Sequence, residues 1–126
     1  MNMGLDNFTG LELWRRTIVE IVRQSGNDTD LSSRQTAILL NVYLTEPPHT
    51  VRALATDLNI SKPAVSRAID KLSVLGLIKR QTDEKDRRSV NLYRTIEGAQ
   101  YIMRFGDIIA EKARKINNPL SEQPEK

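Results

Sequence analysis

The sequence predicts a mainly α fold with one small antiparallel β-hairpin, an α+β arrangement. Two observations carry this. Apolar residues recur at helical spacing behind a series of cap residues, and after Gly76 the period drops to two before helical spacing returns past Thr95.

The first helix is expected over residues 10–25. Thr9 and Glu12 fit a capping box, Leu11, Trp14, Ile18, Ile21 and Val22 form the apolar row, and Gly26 fits a C-cap. A second box, Ser32 with Gln35, opens a helix over 33–45 that carries Ile38, Leu39, Val42 and Tyr43. Pro47 and Pro48 stop it, since proline lacks an N–H and constrains the residue before it. Thr50 caps a short helix with Leu54 and Leu58 inward, and Asn59 suits the left-handed turn that ends it. Ser61 caps the next helix and Pro63 is tolerated in its first turn, with Val65, Ile69 and Leu72 as the buried stripe. Two short helices joined by a tight turn make a helix-turn-helix. Strands follow from Ile78 and through "SVNLYR", joined by the charged stretch "TDEKDRR". Thr95 caps a last helix over 96–116, whose apolar residues cover more than one face. Residues 118–126 read as a disordered tail.

Composition narrows the function classes. At 126 residues and 39% hydrophobic content the chain suits one domain, and aromatics at 5% leave Leu, Ile, Val and Ala to fill the core. The absence of cysteine excludes a disulfide framework, a thiolate zinc site and a thiol switch, and fits a reducing cytoplasm. No apolar run suits a membrane helix, and the N-terminus does not read as a signal peptide. His49, the one histidine, follows two prolines and reads as a loop or edge residue, so a nucleophile lacks its usual base. The glycines are scattered and form no phosphate-cradling loop. Lys85, Arg87 and Arg88 neutralise Asp83, Glu84 and Asp86, which argues against a metal site. No enzyme, cofactor or metal is expected.

The net charge of +3 is unevenly placed: residues 61–94 carry nine Lys/Arg against four Asp/Glu. Such segregation points to a polyanionic partner. With Val65, Ile69 and Leu72 inward, the outward positions of the second helix of the motif are Lys62, Pro63, Ser66 and Arg67, followed by Asp70 and Lys71. The N-terminal turns of such a helix reach base edges in the major groove. Arg67 suits guanine O6/N7, Ser66 a base or phosphate, and Pro63 and Ala64 thymine methyls; Ser61, Lys62 and Lys71 complete the candidate set. The plainer reading of the same residues is the solvated face of a helix.

Residues 31–98 resemble the MarR family of bacterial transcriptional regulators. The likeness rests on "LSSRQTAIL", "TVRALATDLNISKPAVSRAIDKLSVLGLIKR" and "DEKDRRSVNL" followed by "EG", in that order and spacing. The resemblance implies a winged helix-turn-helix homodimer in the bacterial cytoplasm, associated with the nucleoid. It would bind double-stranded DNA at a pseudo-palindromic site, with repression as the expected mode. The family's wing motif Asp-x-Arg is here Asp86-Arg87-Arg88, making Arg88 the minor-groove finger and Asp86 its support. Arg87 and Arg94 are then expected phosphate contacts. Residues 31–95 form the DNA-binding domain, and the helices at 10–25 and 96–116 serve dimerisation, within N- and C-terminal segments at 1–30 and 96–117. Family members usually show Leu-Thr where this chain has Arg94-Thr95. They also commonly carry a further helix that lines a ligand cleft. The chain ends soon after one C-terminal helix, so the sequence gives a small-molecule effector little support. The alternative is a winged-helix protein-interaction module that does not bind specific DNA, with the broad apolar C-terminal helix as its partner surface.

Overall fold

The protein is described as a computed structural model that covers residues 6–26, 28 and 30–117; the expected tail at 118–126 lies outside the described residues. Elements follow in the order α1 (Asn7–Ser25), α2 (Ser33–Leu44), α3 (Val51–Leu58), α4 (Lys62–Val74), β1 (Ile78–Thr82), β2 (Val90–Arg94) and α5 (Ile96–Asn117). They fall into two compact units, residues 31–102 and residues 1–30 with 103–126.

In the unit at 31–102, each helix begins where a short polar side chain satisfies free backbone donors. Ser32 Oγ accepts from Gln35 N at 3.1 Å while the Gln35 side chain accepts from Ser32 N at 2.8 Å, completing the expected box. Thr50 and Ser61 cap α3 and α4 by accepting from Ala53 N and Ala64 N at 3.0 and 3.2 Å. Between α3 and α4, Asn59 adopts φ 56°, ψ 46°, the left-handed conformation that lets the chain reverse in a few residues.

The helical period then decides what is buried. Ile38, Leu39 and Val42 of α2 meet Leu54 of α3, Val65, Ile69 and Leu72 of α4, and Leu77, Ile78 and Leu92 of the hairpin in one apolar cluster. Burying one such aliphatic side chain contributes about 1.5–3 kcal/mol before the entropic cost of ordering it. Within this unit the register pairs Ile78 with Arg94, Arg80 with Leu92 and Thr82 with Val90. Side chains alternate along a strand, so Ile78, Arg80 and Thr82 share the face that carries buried Leu92, and Lys79 and Tyr93 take the opposite face. His49 sits at the free edge of β2: its carbonyl accepts from Leu92 N at 2.8 Å and Thr50 bridges Asn91. It is also buried, which periodicity did not indicate.

Tyr43 ties three segments of the same unit. Its hydroxyl donates to Leu77 O at 2.7 Å and accepts from Thr95 N at 2.9 Å. Thr95 Oγ1 donates to Gly76 O at 2.7 Å and accepts from Gly98 N at 2.9 Å, so it caps α5 as expected. Gly98 has no room for a side chain, because a Cβ there would fall inside contact distance of Tyr43 Oη and Leu77 O.

In the other unit, α1 starts earlier than expected. Asp6 is the N-cap and accepts from Thr9 N at 2.7 Å, so Thr9 lies within the first turn. An ionised carboxylate is at least as good a cap as a hydroxyl, and Asp6 lets the helix begin three residues sooner. Glu12, expected to complete a box with Thr9, instead pairs with Arg15 and Arg16 at 2.7 Å, and hydrogen bonds from these guanidiniums hold its pKa at about 2. Gly26 ends α1 at φ 62°. Thr17 of α1 and Phe105 and Ile108 of α5 are buried, while Phe8, Leu11, Trp14 and Val22 of α1 stay exposed, with Met103 and Ile109 of α5.

Candidate nucleic-acid interface

The candidate interface is built on α4 and the hairpin. Because Ala64, Val65, Ala68, Ile69 and Leu72 point inward, α4 turns Lys62, Pro63, Arg67 and Asp70 outward. Ser66 and Lys71 are half-buried at the flanks of this face. Ser61 is exposed, with its hydroxyl engaged as the helix cap. Ala64 departs from expectation. It is only 6% exposed, so its methyl belongs to the core rather than to a base-reading surface. The position is one residue before Val65, and the inward stripe is wider than the i, i+4, i+7 row alone.

The wing tip is ordered by the Asp83 carboxylate. Asp83 Oδ1 accepts from Lys85 N at 2.8 Å and Asp86 N at 3.2 Å, and Asp83 N donates to Ser89 O at 2.9 Å. The backbone donors of Lys85 and Asp86, with a further hydrogen bond from the Asn91 side chain, hold the Asp83 carboxyl below its ordinary value. Asp side chains commonly bond backbone N–H groups a few residues on in a tight turn, and "TDEKD" holds an Asp at that place. Further along, Asp86 Oδ1 accepts from Arg88 N at 3.1 Å and lies 3.5 Å from Arg88 Nε. The Arg88 side chain remains 90% exposed, and Arg87 is exposed beside it. Asp86 therefore holds the Arg88 backbone and lies beside its guanidinium, which stays open to solvent.

Arg94, expected as a phosphate contact, is engaged within the chain. Its Nε donates to Val42 O at 2.9 Å, its Nη2 donates to Thr45 O at 3.1 Å, and the guanidinium lies 5.8 Å from the centre of the Tyr43 ring. Two free carbonyls at the C-terminus of α2 thus receive a cation, which complements the negative end of the helix. Arg94→Ala should lower stability by about 1–2 kcal/mol in chemical denaturation and leave the salt dependence of any DNA binding unchanged. A phosphate contact would show the reverse pattern.

Sequence reasoning also missed a pair that crosses elements: Arg80 Nη1 of β1 binds Asp70 Oδ1 of α4. Local spacing cannot show a contact between residues on different elements. Among the described residues, no group of three or more His, Asp or Glu is placed to hold a metal ion.

The sequence model of the MarR family matches residues 29–89, the stretch that includes α2, α3, α4, β1 and the wing tip. The chain belongs to the MarR family. The transcriptional regulator PecS of Dickeya dadantii is 32% identical over 95 residues, which cover 74% of this chain and 57% of PecS. The chain thus spans little more than half the length of that relative. A MarR transcriptional regulator from Methanosarcina mazei Go1 is 28% identical, with a TM-score of 0.62 over 96% of this chain and 86% of that one. A variant of MepR from S. aureus, solved bound to an oligodeoxyribonucleotide, superposes with a TM-score of 0.75 at 23% identity, covering 94% of this chain and 80% of that one. Five helices with a two-stranded antiparallel hairpin make this MarR-family chain a winged helix-turn-helix protein.

Proposed function

We propose that this MarR-family chain is a sequence-specific DNA-binding transcriptional regulator, a repressor, that acts in the bacterial cytoplasm on the nucleoid. The observation that carries this reading is the wing: the Asp83 and Asp86 carboxylates fix its tip by three hydrogen bonds from backbone N–H groups while Arg87 and Arg88 stay exposed. A tip ordered by carboxylates that still projects its arginines is suited to inserting one of them into a narrow minor groove, where negative potential is concentrated. On α4, Lys62, Pro63, Ser66 and Arg67 would face the major groove, with Arg67 as the base-reading residue. The DNA-bound MepR relative supports this reading.

The chain is proposed to act as a homodimer through α1 and α5. Phe8, Leu11, Trp14 and Val22 recur along α1 at roughly helical spacing and are 84%, 65%, 53% and 45% exposed, a row that calls for a covering surface. Two copies would place two α4 helices about one DNA turn (~34 Å) apart on a pseudo-palindrome.

Selection of bound fragments from genomic DNA with the purified protein tests binding, site symmetry and half-site spacing together. Arg88→Ala should then weaken binding to the selected duplex and lower the magnitude of the salt slope by about one. Unchanged affinity and slope would remove Arg88 from the groove. A protein that stays monomeric and ignores DNA at low salt would sink the whole reading in favour of a protein-interaction module.

A further inference from the structure

The Asp70–Arg80 pair joins the exposed face of α4 to the first strand of the hairpin. Three features set it apart. Asp70 lies three residues after Arg67 and four after Ser66, so it is an acid on the side of α4 that carries the base-reading candidates. Arg80 lies on the α4 side of β1, since it shares a face with buried Ile78 and Leu92, whereas Lys79 takes the other face. Finally, the side chains are 63% and 38% exposed, and an ion pair so open to water adds little to stability. A pair with little value for stability, placed between the two DNA-reading elements, invites a functional account.

We infer that the Asp70–Arg80 bridge is a specificity device. It keeps the Arg80 guanidinium on α4 and off the phosphates, and it makes the recognition helix and the hairpin approach DNA as one body. An unrestrained arginine at Arg80 would add a contact that every sequence offers equally, because phosphate contacts carry no base information. Holding it on a carboxylate leaves affinity to the contacts that distinguish bases. Asp70 is thus a positioning residue that acts through Arg80, and this role rests on the proposed DNA-binding reading.

The test compares the duplex selected by the wild-type protein with a scrambled duplex of equal length, across a salt series. Asp70→Asn should raise affinity for the scrambled duplex and increase its salt slope by about one, so that the specificity ratio falls about ten-fold. In the Arg80→Gln background, Asp70→Asn should no longer change the ratio, because no arginine is left to release. The inference is overturned if Asp70→Asn leaves ratio and slope unchanged, or if it acts equally in the Arg80→Gln background, which would mean that Asp70 meets the DNA directly. A wild-type protein that selects no preferred sequence would overturn the DNA-binding reading itself. A preferred sequence with an unchanged ratio would overturn the bridge alone.

Discussion

Gly98→Ala should cost about 3 kcal/mol or more of stability, the largest single effect anticipated for this chain. The added methyl would press on Tyr43 Oη and on Leu77 O, and one of those is backbone. Relief requires Tyr43 to leave its hydrogen bonds with Leu77 O and Thr95 N, stranding polar groups that are otherwise paired. A double-mutant cycle with Tyr43→Phe separates the parts. Removing the hydroxyl should make Gly98→Ala less costly, while the clash with Leu77 O keeps some of the penalty. Gly106 in the same helix is the internal control. A Cβ there meets nothing within 4 Å, so Gly106→Ala should gain about 0.5–1 kcal/mol from helix propensity alone. Chemical denaturation of the three single variants and the double variant checks all of this. Equal effects at Gly98 and Gly106 would show that crowding at Tyr43 does not govern the first.

Arg67→Ala should cost about 1–3 kcal/mol against the selected duplex and relax preference at one base position in each half-site. The case rests on placement. Arg67 lies on the outward face of α4, near the N-terminal end that Ser61 caps, and its helical neighbour Ala68 is buried. Binding to a panel of single-base variants of the selected site measures it. A uniform loss across the panel would make Arg67 a phosphate contact. Arg67→Lys should keep the charge but lose the bidentate geometry, and so should fall between wild type and alanine in discrimination.

Much of the fold was legible because the capping residues are local signals. Ser32, Thr50, Asn59, Ser61 and Thr95 act where their types predict, and the change of period at Gly76 marked the hairpin. The Thr9 reading failed because two competent caps stood three residues apart and propensity does not say which will prevail. At the candidate interface, residue types on α4 were readable from the stripe, except at its margin, where Ala64 turned inward. Contacts between distant residues were out of reach. Arg94 reads as one more cation until β2 brings it beside the end of α2, and Arg80 likewise until β1 lies against α4. Charge counting in the segment 61–94 therefore does not distinguish arginines with partners on other elements, Arg80 and Arg94, from the rest.

The bridge between Thr50 and Asn91 has a consequence for self-association by strand addition. Because the segment at His49 and Thr50 occupies one edge of β2 and β1 the other, β2 is an interior strand, and β1 presents the open edge of the sheet. That edge carries the exposed Lys79, whose charge makes the docking of another chain's strand unfavourable. An uncharged β-branched residue in place of Lys79 would leave that edge a better template for strand addition, so one lysine of the wing bears on self-association as well as on charge.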